Sequence, residues 1–229
     1  LNVNGGITAG AGSVTLKANQ DGAGAQGFSQ ADATTISGTG IAITVNTAAG
    51  TGTGAAVVST LTDAGALSIT TDNTAHTAGG SITRTATSAL SGTSVSLTTG
   101  TGTIGAGTGA NAINLASGQT VSATTHGGSG DVFLTSAGGL TVGAGGITTA
   151  GGQVNVATTA AGTLTATGAI ATSGGNVTLN SQDALNVNGG ITAGAGSVTL
   201  KANQDGAGTQ GFAQANSTTI SGKIGRAHV

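Results

Sequence analysis

A chain of 229 residues with a net charge of −2 carries only 5% charged residues, against about 25% in an ordinary soluble domain. Gly fills 45 positions, and Pro, Cys, Met, Trp, Tyr and Glu are absent, which excludes collagen, disulfide frameworks and thiolate metal sites. Five Lys and Arg residues are too few for a nucleic-acid-binding surface, and no apolar run approaches the roughly 20 residues of a membrane span.

In chain order, the first predicted strands lie in 1–16 and close on Val14-Thr-Leu16. A polar excursion, Lys17–Thr35, then interrupts the strand cadence. It holds Lys17, Asn19, Gln20, Asp21, Gln26, Phe28, Gln30 and Asp32, the densest polar cluster in the chain, with one of only three Phe. From 36 to 130 short aliphatic lines continue at irregular spacing: Ile41-Ala-Ile43-Thr-Val45, Leu67-Ser-Ile69, Val95-Ser-Leu97 and Ile113-Asn-Leu115. Longer turns are expected there, at 47–56 and 99–110.

From 131 onward three kinds of line alternate. The first is represented by Val132, Val154, Val177 and Val198, with Leu134, Val156, Leu179 and Leu200 two residues on. The second starts at Leu140, Leu164 and Leu185, and the third at Ile147, Ile170 and Ile191. Each line alternates apolar with Thr, Asn or Ser, the period of a strand with one buried face. Gly-rich corners separate them, as glycine's tolerance of positive φ favours. Three short strands and their corners make one coil of about 22 residues, which buries its apolar side only by stacking on another coil. The fold class is therefore all-β, a parallel β-helix or β-solenoid, right-handed by analogy with parallel crossovers.

A longer repeat overlies the short one. Residues 1–38 return at 185–222 with four differences: Ala25/Thr209, Ser29/Ala213, Asp32/Asn216 and Ala33/Ser217. The organisation is a single repeat region over 1–223, made of a 184-residue module (1–184) and the start of a second copy (185–222). If the module encloses eight whole coils, both polar excursions leave the same face. The second excursion carries Lys201, Asn203, Gln204, Asp205, Gln210 and Phe212. Residues 224–229 break the composition and are expected to be a non-native tail, since they match translated sequencing adapter.

Lines such as Gly174-Gly-Asn-Val-Thr-Leu179, Ala184-Leu-Asn-Val-Asn-Gly-Gly-Ile191 and Gly196-Ser-Val-Thr-Leu200 resemble the repeats of filamentous-haemagglutinin-like exoproteins, large bacterial adhesins secreted by two-partner or autotransporter routes. The resemblance implies a long stalk that is secreted or held at the cell surface in association with the outer membrane. It implies continuation into further repeats, and a host-cell or neighbouring-cell surface protein or glycan as partner.

Candidate chemistry is sparse. Gly127-Gly-Ser-Gly-Asp131 is similar to a calcium-binding nonapeptide, but its Asp comes one position early and the motif occurs once; it reads as a corner. Thr-x-Thr pairs such as Thr163/Thr165 do not recur at the coil period, as an ice-binding array requires. The seven Asp are scattered, and no coil register is apparent that joins Asp63, Asp72 and Arg84. His76 and His126 stand 50 residues apart in polar stretches. No catalytic, cofactor or metal residue is assigned. The expected function is a non-catalytic structural or adhesive stalk segment. The alternatives are a carbohydrate-active β-helix enzyme and a self-associating fibre protein, and the two excursions are the candidate binding residues.

Overall fold

A three-residue strand with one apolar side gains little alone, so the aliphatic lines stack in register on those of the next turn. The computed structural model describes residues 1–46, 50–73, 75–77 and 79–224. It is an all-β parallel solenoid of about nine turns, with about 25 residues in each. The 3₁₀ turn Gly109–Asn111 is the one helical element among the described residues, and none of their helices is long and apolar enough to cross a membrane. At one strand spacing per turn the stack is roughly 40 Å long.

The interior is a set of aliphatic columns. One runs Leu16, Ile43, Ile69, Leu97, Ala123, Ile147, Ile170, Ile191, Ile220. A second runs Phe28, Ala56, Ile82, Ile104, Val132, Val154, Val177, Val198. A third links Ile7, Ile36, Leu61, Leu90 and Leu115. The expected pairings of Leu134 with Val156, Leu179 and Leu200, and of Leu140 with Leu164 and Leu185, are all present. Most members are fully buried, and each such side chain contributes about 1.5–3 kcal/mol relative to exposure.

Two expectations about the coil change. Turns are not uniform. Phe28, Ala56 and Ile82 follow one another at 28 and 26 residues, whereas Val132, Val154, Val177 and Val198 follow at 22, 23 and 21. The second and third lines also share one strand, Leu140–Thr149. It stacks on the seven-residue strand Gln119–Thr125, with Val121 opposite Val142 and Ala123 opposite Ile147, so Gly143–Gly146 form a bulge.

The 184-residue module therefore does not enclose whole turns. Lys17 lies in the column of Thr44, Thr70, Thr98, Thr124, Thr148, Ala171 and Thr192. Lys201 lies in that of Asn180, Ala157, Thr135 and Asn114. Stacking demands only that apolar positions meet apolar positions. Every line has the same alternation, so a line of one kind sits on a line of another without turning its buried face outward.

The corners add two features. Thr99, Thr125, Thr149 and Thr172 form a buried ladder. Each donates its hydroxyl to a glycine carbonyl just past the corner: Gly102 at 2.8 Å, Gly130 at 2.8 Å, Gly152 at 2.5 Å and Gly175 at 2.5 Å. These threonines point inward, not out, and satisfy carbonyls that the turn leaves unpaired. The glycines serve close approach more than positive φ: a Cβ on Gly152 would stand 2.1 Å from the Gly130 carbonyl oxygen, and one on Gly175 2.0 Å from that of Gly152.

At the far end the strand Ile220–Ile224 places the Ile224 backbone opposite Val198. The rest of the expected tail, 225–229, lies outside the described residues, as do 47–49 of the expected long turn.

Candidate functional site

The polar excursion is mostly a solenoid turn. Lys17 is within the strand Val14–Ala18, opposite Thr44. The chain turns at Asn19, whose φ of +50° is left-handed, and returns as the strand Phe28–Gln30, which pairs with Asn2–Val3 and with Ala56–Val58. Phe28 and Gln30 are each 1% exposed. Gln30 accepts the Ser59 N–H at 3.0 Å and donates to the carbonyls of Thr34 at 3.0 Å and Thr60 at 3.2 Å. These two residues belong to the interior and cannot meet a ligand. Replacing the whole excursion would remove one side of a turn.

Lys17, Gln20, Asp21 and Gln26 are exposed at the corner, with Asn19 half-buried against the Asn46 amide. In the second copy Gln204, Asp205, Gln210 and Phe212 are exposed, and Lys201 and Asn203 are half-buried.

Asp63, Arg84 and Asp131 serve the backbone. Asp63 accepts the N–H groups of Ile41 at 2.6 Å and Gly65 at 2.8 Å. Arg84 donates to the carbonyls of Ala112 and Ala110, both at 2.6 Å. Asp131 accepts the Gln153 N–H at 2.8 Å. Asp32 accepts the Thr87 N–H at 2.9 Å, and that bond holds its carboxyl below the ordinary value of 3.8.

Two features are assembled only by the fold. The first is a polar cleft of about 500 Å³ between the 105–112 loop and the outer surface of the strands. Thr135, Asn155, Thr178, Asn180 and Lys201 line it. Thr135 Oγ1 and Asn180 Oδ1 are buried without a hydrogen-bond partner among the described residues. Phe133, which alternation alone would turn to solvent, is 8% exposed and lies beside Gly105.

The second is a His–Asp–His corner. Thr70, Thr98 and Thr124 share a column, so two residues further along Asp72, Gly100 and His126 follow one another at the same edge. Gly100 has no side chain, which leaves Asp72 and His126 free to meet across it. Asp72 is 6% exposed. Its Oδ1 accepts the Asn73 N–H at 2.8 Å. Its Oδ2 stands 2.5 Å from His76 Nδ1 and 2.8 Å from His126 Nδ1. The two imidazoles stack with centroids 3.8 Å apart, and His76 holds a left-handed φ of +57°.

The expected separation of these histidines is thus overturned by register. Fifty residues of sequence amount to two turns here, a relation visible only once 66–70, 94–99 and 119–125 are known to stack. No known protein family, curated protein or solved structure matches the chain.

Proposed function

We propose that this chain is a non-catalytic spacer of a secreted or surface-held exoprotein, adhesive through its polar cleft. The observation that carries the reading is the unbroken run of nine aliphatic layers in the Leu16–Ile220 column. A stack joined along its whole length by backbone ladders resists bending and holds whatever lies beyond it at a set distance.

Further turns of the same chain would extend the rod, a reading supported by the return of residues 1–38 at 185–222. The cleft suits a neutral, hydroxyl-rich ligand such as a surface glycan. Amide and hydroxyl side chains dominate its lining, and its one cation is Lys201. Against the rival of a polysaccharide-cleaving enzyme stands the employment of Asp63 and Asp131 in capping backbone N–H groups, where a hydrolase needs paired carboxylates facing a groove.

The test is adhesion of beads coated with the full chain to epithelial and bacterial cells, beside beads carrying an Asn155→Ala/Thr178→Ala variant. Binding by the wild type, lowered at least several-fold in the variant, is expected. Equal binding by both, or none by either, overturns the adhesive reading, and release of reducing ends from a polysaccharide panel overturns the non-catalytic one.

A further inference from the structure

The His–Asp–His corner has no part in the spacer or the cleft. Its donors converge as a metal site requires. Asp72, His76 and His126 each offer a ligand atom, and these atoms lie within 4.8 Å of one another. The carboxylate is fixed: its side chain is 5% exposed, and its other oxygen is held by the Asn73 N–H. The imidazoles are 51% and 34% exposed, which leaves a route for an ion from solvent. Nδ1 of His76 and Nδ1 of His126 both stand at hydrogen-bond distance from Asp72 Oδ2, and a bound ion would take the place of the protons these contacts share.

We propose that Asp72, His76 and His126 form a three-ligand site for a divalent transition-metal ion, Zn²⁺ foremost, which ties together two solenoid turns across Gly100. The donor chemistry selects the ion. Two neutral imidazoles and one carboxylate match Zn²⁺, Ni²⁺ or Cu²⁺. Calcium takes six to eight oxygens, and the cluster offers a single carboxylate. Three protein ligands leave a coordination position to water.

The expected consequence is mechanical. Asp72 and His76 follow the strand Ala66–Thr70, and His126 follows Gln119–Thr125, with Ser94–Thr99 between them. An ion bound to all three groups exists only while these turns are stacked. It therefore stabilises the folded chain by mass action and closes a loop from 72 to 126.

The experiment is calorimetric titration of ZnCl₂ into the full chain, purified without an affinity tag and stripped with EDTA, with CaCl₂ as the contrasting probe. One equivalent of Zn²⁺ should bind and raise the melting temperature, and Ca²⁺ should not. His126→Ala and His76→Asn should each weaken Zn²⁺ at least ten-fold, since loss even of a group supporting a ligand costs 10–100-fold. Asn tolerates the left-handed backbone at 76, so the second variant keeps the fold, as its circular dichroism in EDTA should show. His228→Ala, which removes the remaining histidine of the sequence, is the control and should bind as the wild type does. Cobalt substituted for zinc should give visible bands that the two histidine variants lose. Absence of Zn²⁺ binding, undiminished binding in the His76→Asn/His126→Ala double variant, or preference for Ca²⁺ overturns the proposal.

Discussion

In residues 1–38, Phe28 faces Ala56 on the next turn and is 1% exposed; in residues 185–222 its counterpart Phe212 pairs with Leu185 on one side and is 40% exposed. Within each copy the pairing is the same. Ile7 meets Ile36 and Thr8 meets Ser37, as Ile191 meets Ile220 and Thr192 meets Ser221. What differs is the neighbour outside the copy. The first has turns stacked after it, and the second has turns stacked before it. The four positions at which the copies differ are exposed in both, where a change of side chain costs little. Identical segments therefore give a set of paired substitutions whose unequal effects measure stacking alone.

The largest contrast is expected at Leu185 and Leu1. Leu185 is fully buried between Leu164 and Phe212, whereas Leu1 is 49% exposed. Leu185→Asp should cost more than about 4 kcal/mol, through an unpaired carboxylate in an apolar column, and Leu1→Asp less than about 1 kcal/mol. Chemical denaturation of both variants checks this, and equal losses would break the assignment of the columns.

Next comes the phenylalanine pair. Phe28→Ala should destabilise by about 3–5 kcal/mol, and Phe212→Ala by about 1 kcal/mol or less, in keeping with its partial exposure. If a longer native chain shows the two effects converging, a turn covers Phe212 there.

The glycine pair is third. A Cβ on Gly189 would lie 2.3 Å from the Gly168 carbonyl oxygen, while one on Gly5 meets nothing within 4 Å. Gly189→Ala should cost about 1–3 kcal/mol by forcing stacked backbones apart, and Gly5→Ala should be near neutral in thermal melting.

The smallest effect is at Asp32, where the second copy carries Asn216. The folded carboxyl titrates below 3.8 because it accepts the Thr87 N–H. Its contribution is thus fully present above the unfolded value and is lost as pH falls through the folded one. Asp32→Asn should slightly lower the melting temperature at neutral pH, and the gap should close on acidification below 3.8. A gap that widens in acid would reverse the sign.

Much of the fold was legible along the chain. Alternation in Val177-Thr-Leu179 or Ile41-Ala-Ile43 states which side chains face in, because strand geometry has a period of two, and the structure buries those residues. The threonine ladder was legible only in part: alternation sets Thr99 two residues after Leu97 and Thr172 two after Ile170, on the inward side, but the glycine carbonyls they meet around the corner are brought to them by the fold. Nor was the burial of Phe28, whose polar neighbours Gln26 and Gln30 disguise a strand as a loop.

By itself the sequence determined the all-β class, the stacking of short lines, the inward aliphatic columns from 132 to 200 and the dearth of charged chemistry, since each follows from local pattern or composition. Only the tertiary structure decided how many residues make a turn, and hence which lines share a column. Turn length depends on how far each corner bulges, and stacking accepts any line whose apolar alternation matches. That freedom placed Lys17 and Lys201 in different columns, and it brought Asp72, His76 and His126 together over Gly100.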